Sequence, residues 1–333
     1  MSIWESGVRT FGCWVALYIV IVVLAALEKL PGFAADTSPP RIGVIDPQGS
    51  ASFANSLRDG LRRAGYSEGT NLIMDWRGTS ETEEELQALL NDLMRSKVDL
   101  LVTVGTPATR AALQRTTLPV VFAVGDPVVS GFASSLAKPG GRATGVSTLA
   151  TELNVKRVEV VHQLAPKARH IVYLVSLANP LSTRSFLDDQ RRAARKLGIQ
   201  LEIVSASTPR ELDEALHGLR QKPPEALLVS PIAFYVAHAA AITQMAREAR
   251  IPTLYPFREY LAAGGLASYG VDLNRMGGLM AGYVERILKG AKPGDLAIEQ
   301  MSKYDLAVDL REAREIGFRV PQDLLLRADE VIR

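Results

Sequence analysis

The stretch LPVVFAVGDPVVSGFASSLAKPGGRATGVSTL, residues 118–149, carries the pattern that decides the fold. It opens with a short apolar run typical of a buried parallel strand, breaks at Gly125-Asp126-Pro127, and reaches a second β-prone segment at Thr144–Thr148. Ligands of open α/β sheets bind beyond the carboxyl ends of the strands. A loop rich in Gly, Pro and Asp at such an end indicates either a ligand site or a long surface connection, and spacing alone leaves both open.

The N-terminal segment differs in kind from the rest of the chain. Arg9 precedes an apolar stretch, Phe11–Leu27, and small residues follow it. This order predicts a secretory signal peptide, residues 1–34, with cleavage before Ala35. An uncleaved membrane anchor is the alternative, because the apolar stretch is close to the minimum length that spans a bilayer.

Composition and motifs exclude several functional classes. The formal net charge is +2 and charged residues of both signs are interspersed, so the basic stripe of a nucleic-acid-binding protein is missing. Phosphate loops, dinucleotide fingerprints and nucleophile elbows are also missing from the sequence, and its one cysteine, Cys13, lies in the leader. No metal-binding spacing connects the dispersed histidines, which are His162, His170, His217 and His238. We therefore expect no catalytic site, no metal and no cofactor.

Beyond the leader, short β-branched runs alternate with longer helical periods. Such βα units predict parallel sheets covered by helices on both faces. Two consecutive series predict two lobes, with residues 40–148 plus about 272–333 in the first and 149–271 in the second. The helix Glu152–Leu164 would be the first crossover between them, and one long helix is predicted at Ala233–Arg250.

Polar, small and aromatic residues follow several of the predicted strands. Where they begin a helix, unpaired N–H groups and the helix dipole favour a carboxylate or another anion. Ser50 and Thr106 would add hydroxyl donors, Asp126 would offset a ligand ammonium group, and the aromatic residues would form an apolar wall. Helix capping and core packing are the alternative roles. The candidate ligand-binding residues are Gln48, Ser50, Thr106, Asp126, Asn179, Pro231, Phe234, Tyr255 and Tyr269.

Several motifs occur in an order that is similar to one widespread family. They are Gly125-Asp126-Pro127-Val128, Ala133–Leu136, Lys138-Pro139-Gly140-Gly141, Thr144-Gly145, Lys156–Glu159, Gly264–Gly270, Tyr283–Lys292 and Leu324–Val331. Nearly all of the mature chain resembles the substrate-binding proteins of bacterial ABC-type importers, in the branch that includes tryptophan/tyrosine-type binding proteins.

The resemblance implies an α/β type I periplasmic-binding fold, in which two Rossmann-like lobes are joined by three hinge crossovers and close on a ligand. It also implies a periplasmic, monomeric, non-enzymatic protein that delivers a small organic ligand, such as an amino acid or an aromatic carboxylate, to a permease in the inner membrane. The loop around Gln48 differs from the Gly-Ser-Pro-like turn that relatives often carry, so the resemblance does not determine the identity of the ligand. A membrane-tethered sensing domain of the same fold is the alternative.

Overall fold

Two separate sheets organise the chain in the computed structural model. The structure describes residues 38–47, 49–78, 82–177 and 184–333, with the backbone alone at 184–186. The expected signal peptide and the candidates Gln48 and Asn179 lie outside these ranges. Residues 40–333 form one compact unit. Within the described ranges, no helix has both the length and the apolar character needed to cross a membrane.

The first sheet is parallel and is covered by helices on both faces. Its strands are β1 (Arg41–Ile45), β2 (Ile73–Arg77), β3 (Leu100–Val104), β4 (Val120–Val124), β5 (Ala143–Ser147) and β11 (Glu299–Gln300). They lie in the order β11-β5-β4-β3-β1-β2. Its helices are α1 (Ala51–Arg63), α2 (Glu83–Arg95), α3 (Thr106–Arg115) and α10 (Leu273–Leu288). Every residue of β3 and β4 is buried, because a central parallel strand is covered on both faces.

The second sheet is parallel except for one antiparallel pair. Its strands are β6 (His170–Val175), β7 (Gln200–Ser205), β8 (Ala226–Val229), β9 (Thr253–Tyr255), β10 (Ala267–Val271), β12 (Tyr304–Asp309) and β13 (Glu330–Ile332). They lie in the order β13-β12-β10-β9-β8-β6-β7, with β10 and β12 antiparallel. The accompanying helices are α4 (Ala150–Leu164), α5 (Arg184–Lys196), α6 (Pro209–Gln221), α7 (Ala233–Ala237), α8 (Ala239–Glu248), α9 (Glu259–Ala262), α11 (Leu310–Glu315) and α12 (Gln322–Arg327).

The described chain passes between the two sheets at three places. It leaves the first sheet after β5, returns after β10 through Asp272, and leaves again after β11 through residues 301–303. We call each sheet with its helices the first lobe and the second lobe. The predicted α/β architecture with parallel sheets in two lobes is confirmed. The opening stretch of the sequence forms β4, a long loop and β5, and it ends at the first of these crossings.

The predicted lobe boundaries are wrong at the C-terminal end. Only residues 273–300 of the predicted segment 272–333 return to the first lobe, where α10 packs against α1 and β11 pairs with β5. Strands β12 and β13 join the second sheet instead. The physical reason is the antiparallel pairing of Ala267–Val271 with Tyr304–Val308, a long-range contact that local sequence pattern does not encode.

The long helix predicted at Ala233–Arg250 is broken at His238. The backbone there adopts φ −108° and ψ 19°, and helices α7 and α8 lie on either side of it. The Nδ1 atom of His238 is 2.8 Å from the carbonyl oxygen of Phe234, and the two rings are 4.5 Å apart. His238 therefore contacts Phe234 at the break between the two helices.

Candidate functional site

A cavity of about 720 Å³ lies between the two lobes at the carboxyl ends of their strands. Its wall includes Val104, Gly105 and Gly125 from the first lobe and Val175 and Ser230 from the second. Small-molecule sites occupy about 300–1,000 Å³ and occur at domain interfaces and beyond strand ends. The size and position of this cavity are therefore those of a small-molecule site.

The first-lobe wall is formed by the start of helix α3. Gly105 precedes the helix with φ +96°, a left-handed conformation that L side chains rarely adopt. Thr106, one of the candidate ligand-binding residues, and Pro107 then line the cavity. Arg110 follows one turn later, with its guanidinium carbon 5.1 Å from the centre of the Phe132 ring.

The second-lobe wall is apolar with a few hydroxyl groups. Pro231, Phe234 and Phe257 line it, and the first two are predicted candidates. Among the hydroxyl groups, Ser176 Oγ lies 2.8 Å from the Oγ of Ser207. Ser230 is 4 % exposed and its Oγ has no hydrogen-bond partner among the residues that the structure describes. An unpaired buried hydroxyl on a cavity wall is available to a ligand.

One face of the crossover helix α4 closes the cavity from the side. Ala150, Leu153, Asn154 and Arg157 all line it, at the spacing that places residues on a single helix face. Arg157 is 2 % exposed. Its Nη1 donates to Oδ1 of Asn154 at 2.7 Å, which links two of these wall residues.

Backbone carbonyl groups hold the rest of the Arg157 guanidinium. Its Nε donates to the carbonyl oxygen of Tyr269 at 2.8 Å and its Nη2 to that of Pro256 at 3.2 Å. Burial lowers the pKa of Arg157 to about 10, so the guanidinium stays charged at neutral pH. None of the ion pairs in the described chain involves Arg157. The cavity wall therefore carries a buried cation held only by neutral acceptors.

Ser50 and Asp126, two of the predicted ligand-binding residues, are not among the described residues that line the cavity. Ser50 is the N-cap of α1, where its Oγ accepts a hydrogen bond from the N–H of Phe53 at 3.3 Å. Its own N–H donates to Oδ2 of Asp46 at 3.1 Å. The Oδ2 atom of Asp126 accepts a hydrogen bond from the Thr151 hydroxyl group at 2.8 Å. A helix cap thus engages Ser50, and a loop contact engages one carboxylate oxygen of Asp126.

Tyr255 and Tyr269 also lie away from the cavity. Tyr255 is 1 % exposed and stacks on Tyr260 at 4.8 Å in the core of the second lobe, where burial raises its pKa. Tyr269 is half-buried, with its ring 6.0 Å from that of Tyr304. Both were predicted from their positions at strand ends, but their side chains face the interior and a tyrosine neighbour.

Comparison with known proteins identifies the family. A family model described as ABC transporter substrate binding protein matches residues 42–332. The chain belongs to this family of substrate-binding proteins. A tyrosine-binding protein from Clostridioides difficile (strain R20291) is 26% identical to it over 260 residues, which are 77% of this chain and 73% of the relative. The predicted resemblance is confirmed.

Solved structures share the fold of this substrate-binding protein. A conserved domain protein from Vibrio cholerae is 25% identical, with a TM-score of 0.80 over 88% of this chain and 100% of that chain. An ABC domain from Streptococcus pneumoniae in complex with L-Trp is 24% identical, with a TM-score of 0.78 over 89% of this chain and 100% of that chain. The likeness to these structures agrees with the two-lobed α/β fold described above.

The structure of the substrate-binding protein adds wall residues that were not among the candidates. Arg157, Asn154, Arg110 and Phe257 are the clearest of them. One sequence signal was available for Arg157, because it falls on the apolar stripe of its helix, four residues after Leu153. A charged residue on a buried helix face needs compensation, and such a position is a site candidate. Arg110 and Phe257 follow no comparable pattern.

Proposed function

We propose that this protein is the exported substrate-binding component of an ABC-type importer and binds an aromatic amino acid in the cavity between its lobes. The observation that carries the proposal is the cavity itself, which has an aromatic second-lobe wall and a cationic helix face. Phe234 and Phe257 would pack against the ligand's ring, and polar groups of α4 would orient its charged end. The names of the tyrosine-binding relative and of the L-Trp complex support this ligand class.

Hinge closure would couple ligand binding to transport. Because the part of the chain that the structure describes crosses between the lobes three times, these crossings would serve as the hinge. A ligand that contacts both walls stabilises the arrangement in which the lobes are close together. We propose that this closed monomer presents the two lobes to a permease in the inner membrane, and that the leader at residues 1–34 exports it to the periplasm.

Thermal denaturation in the presence of single amino acids tests the proposed ligand class. A ligand that binds only the folded state at about 100 times its dissociation constant adds about 2.7 kcal/mol to the free energy of unfolding. We expect L-tryptophan or L-tyrosine to raise the melting temperature by several degrees, with L-lysine and L-glutamate as controls that leave it unchanged. Failure of every aromatic amino acid to shift the melting temperature would contradict the proposed ligand class.

Asp126 is proposed to bind the ligand's ammonium group. It is half-buried and directly follows Gly125, which lines the cavity, and its one described side-chain contact is with the exposed residue Thr151. Exchange of this hydroxyl for an ammonium group would turn a neutral hydrogen bond into a charged one. Asp126→Ala is then expected to cost about 2–5 kcal/mol of binding free energy, measured by calorimetric titration with L-tryptophan.

Thr151→Val is the matched control for this experiment. It removes the present hydrogen bond of Asp126 and leaves the carboxylate in place, so affinity for L-tryptophan should stay close to that of the wild-type protein. If Asp126→Ala folds normally and binds L-tryptophan as tightly as the wild-type protein does, Asp126 is not part of the site.

A further inference from the structure

The buried guanidinium of Arg157 has unused hydrogen-bonding capacity on the cavity wall. A guanidinium group carries five N–H donors. Three of them are used, by Tyr269, Asn154 and Pro256. The remaining two are one N–H on each terminal nitrogen, and this pair of nitrogens forms the two-pronged contact that arginine makes with a carboxylate.

The charge of Arg157 is also uncompensated within the described chain. A buried charge without a counter-ion is costly, and proteins normally pair it or place it against a ligand. The one carboxylate among the described wall residues is that of Glu83, and it pairs with Arg115 at 3.3 Å. Burial is the main cause that lowers the pKa of Arg157, and the titratable groups around it are tyrosines, which are uncharged at neutral pH. An anion is the group that this part of the wall lacks.

A second, independent observation points to a ligand at the same wall. The Oγ of Ser230 is buried, has no partner in the described chain, and belongs to a residue that lines the cavity at the end of β8. A buried hydroxyl left unpaired costs free energy that a ligand oxygen would restore. Helix α4, which carries Arg157, packs directly against β8.

We infer that Arg157 and Ser230 bind the carboxylate of the ligand on the second lobe. The inference rests on the proposed function and assigns the charged end of the amino acid to specific residues. With Asp126 at the ammonium group, a zwitterionic ligand would be held from both lobes at once. This differs from the expectation that Ser50 and Thr106 add hydroxyl donors to the anion, and Ser50 caps α1 instead.

Arg110 is the competing cation on the wall. It lies on the first lobe over the Phe132 ring and is only half-buried, so water compensates part of its charge. Arg157 is 2 % exposed and has no such compensation. The other alternative is a purely structural role, in which Arg157 joins α4 to β10 and to the residue that follows β9.

Paired titrations with L-tryptophan and L-tryptophanamide separate these alternatives, because the amide keeps the ring and the ammonium group but lacks the carboxylate. We expect the wild-type protein to prefer the acid by at least about 30-fold. Arg157→Gln should remove most of that preference, because it should lower the affinity for L-tryptophan and leave the affinity for the amide unchanged. Arg110→Gln should keep the preference. If Arg157 had only a structural role, Arg157→Gln would lower the affinities for the acid and for the amide equally.

Ser230→Ala provides the second variant, because it breaks no hydrogen bond in the described structure and should fold normally. This variant is expected to bind L-tryptophan about 10-fold or more weakly than the wild-type protein does, and its affinity for the amide should change little. Equal binding of acid and amide by the wild-type protein would overturn the inference and leave the proposed function intact. The inference would also be overturned if Arg157→Gln kept the preference for L-tryptophan over the amide. If that variant does not fold, the same preference kept by Ser230→Ala would overturn it. Failure of the wild-type protein to bind either probe or L-tyrosine would instead contradict the proposed function.

Discussion

Gly270→Ala is expected to lower the free energy of unfolding by about 3 kcal/mol, a large effect for the addition of one methyl group. Gly270 lies in β10, next to the loop that follows β9. A Cβ atom at this position would be 1.8 Å from the carbonyl oxygen of Pro256 and 3.1 Å from Nη2 of Arg157. Backbone atoms cannot move aside as the end of a flexible side chain can, so the strand itself must shift.

The same substitution should also impair ligand binding. The Pro256 carbonyl that the new methyl group would displace is the one that accepts the 3.2 Å hydrogen bond from Arg157 Nη2. The absence of a side chain at Gly270 therefore leaves space for the Pro256 carbonyl group and for the buried guanidinium of Arg157. We expect affinity for L-tryptophan to fall even in the fraction of Gly270→Ala protein that stays folded.

Gly282→Ala is the matched control for the stability measurement. Gly282 lies inside helix α10, and apart from its chain neighbours and the backbone of its own helix no atom lies within 4 Å of the position that its Cβ would take. Alanine at an unhindered helix position should stabilise the protein by about 0.5–1 kcal/mol. Guanidinium chloride titrations of both variants give the comparison. A Gly270→Ala protein as stable as Gly282→Ala would contradict the close packing at Pro256.

The architecture was predictable because parallel α/β sheets leave strong local signals. The run Val120–Val124 is apolar throughout, as a strand covered on both faces must be, and it is β4 in the structure. The placement of β12 could not be predicted in the same way. Its pairing with β10 joins residues far apart in sequence, and nothing in the local pattern says which lobe provides the partner.

The sequence predicted where the candidate site lies better than it predicted which side chains line it. Thr106 and Pro231 line the cavity just beyond the ends of β3 and β8, and Phe234 lines it from the short helix that follows β8. Tyr255 also stands at a strand end, but all three residues of β9 are buried, so alternation along the strand does not reveal which way the ring faces. Arg157 comes from the side of the cavity rather than from a strand end, and a rule based on strand ends overlooks it.

Thr106→Trp should weaken binding of L-tryptophan by about 100-fold or more, which corresponds to about 2.7 kcal/mol. Thr106 is half-buried at the start of α3, on the first-lobe side of the cavity. An indole there would occupy ligand volume and hold the lobes apart, so both the contacts and the closure would be lost. Because the side chain enters existing space rather than the core, the free energy of unfolding should change little.

Thr117→Trp is the control, since this exposed residue lies just beyond the other end of α3 and outside the cavity wall. Calorimetric titration of the wild-type protein and both tryptophan variants with L-tryptophan tests the claim that the ligand binds between the lobes. The account predicts one site per chain in the wild-type and Thr117→Trp proteins and loss of that site in Thr106→Trp. Undiminished binding by a folded Thr106→Trp protein would contradict it.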